Sequence, residues 1–406
     1  MLIWDVLGAV ALVCAVGAGA RFPMAATALW IGMVECTPEL WRSGIHETLI
    51  GVEKSAGIAL VLLLGLRFGW RRDRYNPGFA FAAMFLTGLA HGLYPGLTLL
   101  ASLRSLIGSA APFAFGFART GTDFRRLVTR MALLGPLINL LAGAILSLLH
   151  VHALYAMENG AFRLAGAGLP AFLGGFALIA IYAGLADIIR QETETGQTSL
   201  TGYLLLGFNG VILLLSGARA PLALAALLVF GTFLLRRQFV ALAAAGALAA
   251  LAVIFAGQFG FIRAVSLVQG GQASNLSNRD LIWPNFEAAI AASPWFGWGV
   301  GAGKQIVPDT GIATLLGTTA AHNEYLRIGS EGGAIGLALL VILLALWVVR
   351  GSRPLPAAQS WFMRLVFVAF AVHSATDNTL IATTSSVLFI WASAIFSAAA
   401  NPTQEA

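Results

Sequence analysis

The chain has 406 residues, of which 58% are hydrophobic and only 10% charged, and its mean hydropathy is +0.83. A soluble domain carries about 25% charged residues, so this composition excludes a water-soluble protein. The net charge of +6 does not point to nucleic acid, because the arginines come in short bursts between apolar runs, as the positive-inside rule produces.

Taken in order, the first apolar stretch, Leu2–Ala20, lacks the basic start of a secretory leader and reads as a first membrane helix. Met24–Cys36 and Ala56–Trp70 follow, with Cys14 and Cys36 as buried thiols rather than a disulfide framework. Phe79–Leu97, Leu106–Phe117, Leu127–Leu149 and Ala171–Ile189 come next. Then come Leu200–Leu215, Pro221–Leu235, Phe239–Phe261, Ala334–Val349, Phe362–Ala375 and Thr383–Ala399. The expectation is an all-α polytopic membrane protein with about 12 crossings and one large periplasmic loop containing short helices. The 46 glycines suit helices that approach closely through small residues.

The basic clusters Arg67–Arg74, Arg119–Arg130, Arg236–Arg237 and Arg350–Arg353 are each separated by an even number of spans, so all four can face the cytoplasm. That puts residues 262–328 on the periplasmic side, between an N-terminal bundle (1–261) and C-terminal helices (329–406). Structureless connections of this length are uncommon and usually functional. The loop opens with a linker composition at Gly270, Gly271, Ser274, Asn275 and Ser277. SNRDLIWPNFEAAIAASP then reads as one or two short amphipathic helices, with Ser277 or Asn278 as N-cap and Pro284 interrupting or restarting the helix. Phe286, Ile290, Trp283, Trp295 and Trp298 suit a membrane interface. PWFGWGVGAG requires a tight turn, because Gly297, Gly299, Gly301 and Gly303 permit backbone conformations that other residues avoid. No internal repeat supports an inverted-repeat transporter.

His322 re-enters the membrane in AAHNEYLRIGSEGGAIG. A neutral imidazole there can take a proton from a hydroxyl; the alternative is a histidine that caps the incoming helix. Arg219, at an external break between spans, opposes the positive-inside bias, and Arg279 lies in the loop itself. Each guanidinium fork matches phosphate oxygens, the alternatives being headgroup anchoring for Arg219 and a local pair with Asp280 for Arg279. Glu331 would face away from His322 on an unbroken helix; Gly329 is a candidate break, and loop tethering is the reading preferred for Glu331. His91, His373 and Asp377 lie within or beside spans, where ionisable groups are functional candidates, and their roles stay open. No metal-ligand spacing, zinc motif or P-loop occurs.

His322, Asn323, Tyr325, Leu326, Glu331, Gly333 and Gly336 together resemble the signature region of the O-antigen ligase and O-antigen polymerase superfamily. Pro294, Gly297, Gly299 and Gly301 look like that family's glycine turn. Arg279 with Trp283 is similar to the segment before it, and Ser216 to Arg219 to a span boundary, although Gly217 and Ala218 intervene where the family often has Ser directly before Arg. These pieces run in order from about Leu204 to Leu337. The resemblance implies a GT-C-type membrane glycosyltransferase of the bacterial inner membrane, working at the periplasmic face without metal, cofactor or nucleotide sugar. It implies a donor glycan on undecaprenyl pyrophosphate, His322 as the base, and Arg219 and Arg279 on the pyrophosphate. The acceptor would be lipid A-core for a ligase of lipopolysaccharide biosynthesis, or another lipid-linked glycan for a polymerase. A flippase for lipid-linked glycan is the reading from a different class.

Overall fold

A computed structural model of the protein describes residue 19 and residues 21–41, 46–158, 161–197, 200–258, 281–308, 311 and 318–400. The first expected span, Cys14, Arg279 with Asp280, the glycine- and serine-rich opening of the loop and its expected N-caps lie outside the described residues. The helices are α1 (Pro23–Cys36), α2 (His46–Phe68), α3 (Gly78–His91), α4 (Leu99–Ala114), α5 (Thr122–Leu148), α6 (Pro170–Thr195) and α7 (Leu200–Ser216). They continue with α8 (Arg219–Leu235), α9 (Phe239–Gln258), α10 (Trp283–Ala292), α11 (Glu324–Ser352), α12 (Ala357–Ser374) and α13 (Thr383–Ala400). Each expected span from Met24 onward overlaps one of these helices, although the expected Phe79–Leu97 outruns α3, which ends at His91. Among the described residues, six helices are long and apolar enough to cross a membrane, and shorter apolar helices accompany them, as in a multi-pass membrane protein.

Local chemistry sets the helix ends. Pro23 and Pro170 occupy the first turns of α1 and α6, where a missing N–H costs nothing. Thr98 caps α4 by accepting from Ala101 N. Gly196 and Gly217 turn left-handed just after α6 and α7.

The core forms around α6 and α13. In each, 83% of the most apolar window is buried, against 33–39% for the other four long helices. A helix apolar on all sides must be central. α6 has that character, and small Ser and Ala residues in α13 allow its neighbours close. Trp391, Phe389 and Tyr182 fill the centre.

Between α5 and α6 the chain departs from the all-α expectation. Tyr155–Glu158 (β1) and Ala161–Leu164 (β2) form an antiparallel hairpin, with Tyr155 opposite Leu164.

The basic clusters gather at one end of the bundle. Arg71 N donates to Phe117 O and Arg119 N to Gly69 O, Arg350 stacks over Tyr75, and Arg236 pairs with Glu192 at the end of α6.

Candidate active site

At the opposite end, the glycine turn is spliced into α11. Gly333 has φ +59° and interrupts that helix. The break separates Ser330 O and Glu331 O from the N–H groups of Ala334 and Ile335, which an unbroken helix would bond to them. The turn supplies substitutes: Trp298 N donates to Ser330 O (2.9 Å) and Gly299 N to Glu331 O (2.9 Å). In the other direction Ala334 N donates to Pro294 O (2.8 Å) and Ile335 N to Trp295 O (3.2 Å). Gly297, Gly299 and Gly301 adopt φ of +66°, +86° and +95°, conformations open to glycine at little cost. The break therefore falls at Gly333 and not at Gly329, which stays helical and packs against Ile290.

The roof, the segment around α10 and the glycine turn, has its own small core. Pro284 lies in the first turn of α10, which begins at Trp283 with no side-chain cap. Phe286 is fully buried with Ile282, Ile306 and Val307, so it is a core residue rather than an interfacial one. Trp298 Nε1 donates to Ala289 O, and Trp283 Nε1 to Ala321 O. Trp295 stays exposed.

His322 follows directly, at φ +47°. A left-handed non-glycine residue costs about 1–3 kcal/mol unless its surroundings hold it, and here both flanks are tied. Ala321 is held by Trp283. Asn323 is the helix cap, its Oδ1 accepting from Tyr325 N (2.9 Å) and Leu326 N (3.3 Å). The cap role considered for His322 thus belongs to its neighbour. Tyr325 anchors the first turn of α11 by donating its hydroxyl to Ala371 O (2.8 Å).

His322 Nδ1 lies 3.1 Å from Asp377 Oδ1, in the connector between α12 and α13. Asp377 Oδ1 also accepts from Asn378 N (2.9 Å). A carboxylate at Nδ1 selects the tautomer with the proton there, which leaves a lone pair on Nε2. Nε2 has Thr318 Oγ1 at 3.5 Å, too long for a strong bond. The imidazole is oriented on one side and available on the other.

Arg219 opens α8 after the break at Gly217. A guanidinium at a helix N-terminus meets the positive end of the helix dipole, so the site favours an anion between the two. Among the described residues Arg219 Nε is buried without a hydrogen-bond partner. Sequence reasoning missed a second guanidinium beside this break: Arg163 of β2 is 6% exposed and its Nε donates to Ser216 O (2.8 Å). Like Arg219, Arg163 stands apart from the four arginine clusters in the sequence, and that signal was available.

The start of α6 brings the two halves together. A Cβ on Gly174 would lie 2.4 Å from Ala218 Cβ, and one on Gly175 would lie 2.9 Å from Thr384 Cγ2. Bare α6 backbone thus touches the Ser216–Arg219 break and, one residue on, the start of α13 just past the Asp377 connector. Arg219 and His322 share one end of the bundle. Glu331 does not face His322: its carboxylate accepts from Arg327 Nη1 (3.0 Å). His91, exposed at the end of α3, packs against the Phe296 ring (6.0 Å). Among the described residues His373 Nε2 has no hydrogen-bond partner.

Residues 202–341, about a third of the chain, match a family model described as O-antigen ligase. The match spans Arg219, Arg279, the glycine turn, His322 and Glu331, and supports the O-antigen ligase and polymerase superfamily. No curated protein matches the chain.

Proposed function

We propose that this membrane chain, whose residues 202–341 carry the O-antigen ligase segment, transfers a glycan from undecaprenyl pyrophosphate to an acceptor hydroxyl at the periplasmic face of the inner membrane. The observation that carries the reading is His322, held at Nδ1 by Asp377 with Nε2 available, at the same bundle end as Arg219.

In the reaction, His322 Nε2 takes the proton of the acceptor hydroxyl as its oxygen attacks the anomeric carbon of the donor sugar. A new glycosidic bond forms and the bond to the diphosphate breaks. Asp377 stabilises the resulting imidazolium. Arg219, with Arg279 on motif grounds, meets the charge that grows on the leaving diphosphate. The step needs no oxidant or nucleotide. The donor lipid stays in the bilayer, and an apolar groove of about 340 Å³ between α11 and α12 reaches the site at Glu324, Tyr325 and Ser374. The opposite end, with its four arginine clusters, would face the cytoplasm.

Arg219→Lys and Arg279→Lys are each expected to slow transfer by about 10²-fold, because an ammonium cannot reproduce the bidentate fork. Initial rates with purified variants check this, and parental rates in both would remove the arginines from the site. The acceptor is settled by incubating purified protein with undecaprenyl-pyrophosphate glycan, with and without lipid A-core. Transfer that requires core identifies a ligase, the function we favour; elongation without core identifies a polymerase. Absence of any product with both acceptors would sink the transferase reading.

A further inference from the structure

α11 carries a buried charge cluster that the reaction above does not use. Arg327 Nε donates to Glu324 Oε2 (2.6 Å) and its Nη1 to Glu331 Oε2 (3.0 Å), at i,i+3 and i,i+4 spacing on one helix face. All three are buried, at 6%, 2% and 2% exposure. Two carboxylates thus share one guanidinium. A buried ionic cluster is weak evidence for stability, since apolar replacements are often neutral or stabilising. Its presence calls for another explanation.

The cluster's remaining bonds supply one. Glu324 Oε1 accepts from Leu380 N (2.7 Å), three residues beyond Asp377 in the same connector. Glu331 O accepts from Gly299 N (2.9 Å), in the glycine turn, and the Glu331 Oε1 would lie 3.3 Å from a Cβ on Gly303. One guanidinium therefore ties together the arm that bears Asp377, the first turn of α11 just past His322, and the spliced turn. We propose that Glu324, Arg327 and Glu331 are positioning residues, with Glu324 setting the Asp377 arm against His322. The assignment rests on the reading of His322 as the base. It concerns distance: a misplacement of about 1 Å at a reacting pair can cost on the order of 10²-fold in rate.

The test is a double-mutant cycle on the full-length protein in detergent or nanodiscs. Glu324→Gln is expected to lower kcat by about 10²-fold and to change KM for the lipid-linked donor by no more than about twofold, because both carboxylate oxygens are engaged by Arg327 Nε and Leu380 N and none is left for substrate. Because Glu324 acts through Asp377, adding Glu324→Gln to Asp377→Asn should slow the enzyme by no more than about twofold further. Glu324→Asp keeps the charge balance but shortens the arm, and it should lose kcat while retaining the parental melting temperature. Multiplicative effects in the cycle, or a parental kcat in Glu324→Asp, would overturn the proposal. His322→Ala is measured alongside. Activity there sinks the base reading itself, whereas a dead His322→Ala with a fully active Glu324→Gln sinks the positioning role alone.

Discussion

His322→Ala is expected to reduce glycan transfer by about 10²–10⁴-fold, the usual contribution of a positioned general base, while the protein inserts and folds normally. The separation of the two effects follows from position. His322 precedes α11 and does not cap it; that work belongs to Asn323, whose Oδ1 holds the amides of Tyr325 and Leu326. Its side chain is 22% exposed, so truncation opens no deep cavity. Relief of the φ +47° backbone is modest, because alanine tolerates that region no better. Transfer is read from purified protein and folding from thermal unfolding in detergent. A parental rate with a parental melting temperature would remove the base.

The second large effect belongs to a residue with no side chain. Gly333→Ala would put a Cβ 2.3 Å from Trp295 C and 2.4 Å from Trp295 O, both backbone atoms, at a φ of +59°. Neither neighbour is a flexible side-chain tip, so the turn or the helix must move. With ψ at −165° this backbone lies in a region open almost only to glycine, and a residue with a side chain there costs about 1–3 kcal/mol. Losing the interlocking backbone bonds, each worth about 0.5–1.5 kcal/mol net, adds several more. The expected outcome is a poorly folded roof and transfer reduced by more than about 10²-fold. Gly231→Ala is the control: nothing lies within 4 Å of its added Cβ, and alanine in a helix is favoured by about 1 kcal/mol. It should express and transfer like the parent. A Gly333→Ala protein with parental melting temperature and rate would show that the splice does not organise the site.

The two effects also show how differently the parts of the site are inscribed in the chain. The glycine turn and the HNEYLRIGSEGG segment lie roughly 30 residues apart, and each announces itself by composition. That they interlock is invisible in either, because the bonds join the 294–299 turn to residues 330–335. The break at Gly333 illustrates this. Gly329, Gly332 and Gly333 are equal candidates as letters, and only contact with Trp295 selects the third. The hairpin at 155–164 was more legible than the all-α expectation allowed. Asn159-Gly160 between two short runs is a strong hairpin signal, and reading it would have drawn attention to Arg163. The Arg327 pairs with Glu324 and Glu331 also follow helical spacing, three and four residues apart, so this part of the site was legible in the chain.

Hydropathy and charge are summed along neighbouring residues, and the bilayer imposes its thickness and its charge asymmetry on every span alike. For this reason the chain alone determined its helical membrane character, the agreement among its arginine clusters, and the unusual setting of Arg219 and His322. The tertiary structure decided which atoms meet. The contact of His322 with Asp377 crosses 55 residues, and it depends on how α11, α12 and α13 pack. Packing is a property of shapes in three dimensions, with no period or composition to report it in advance.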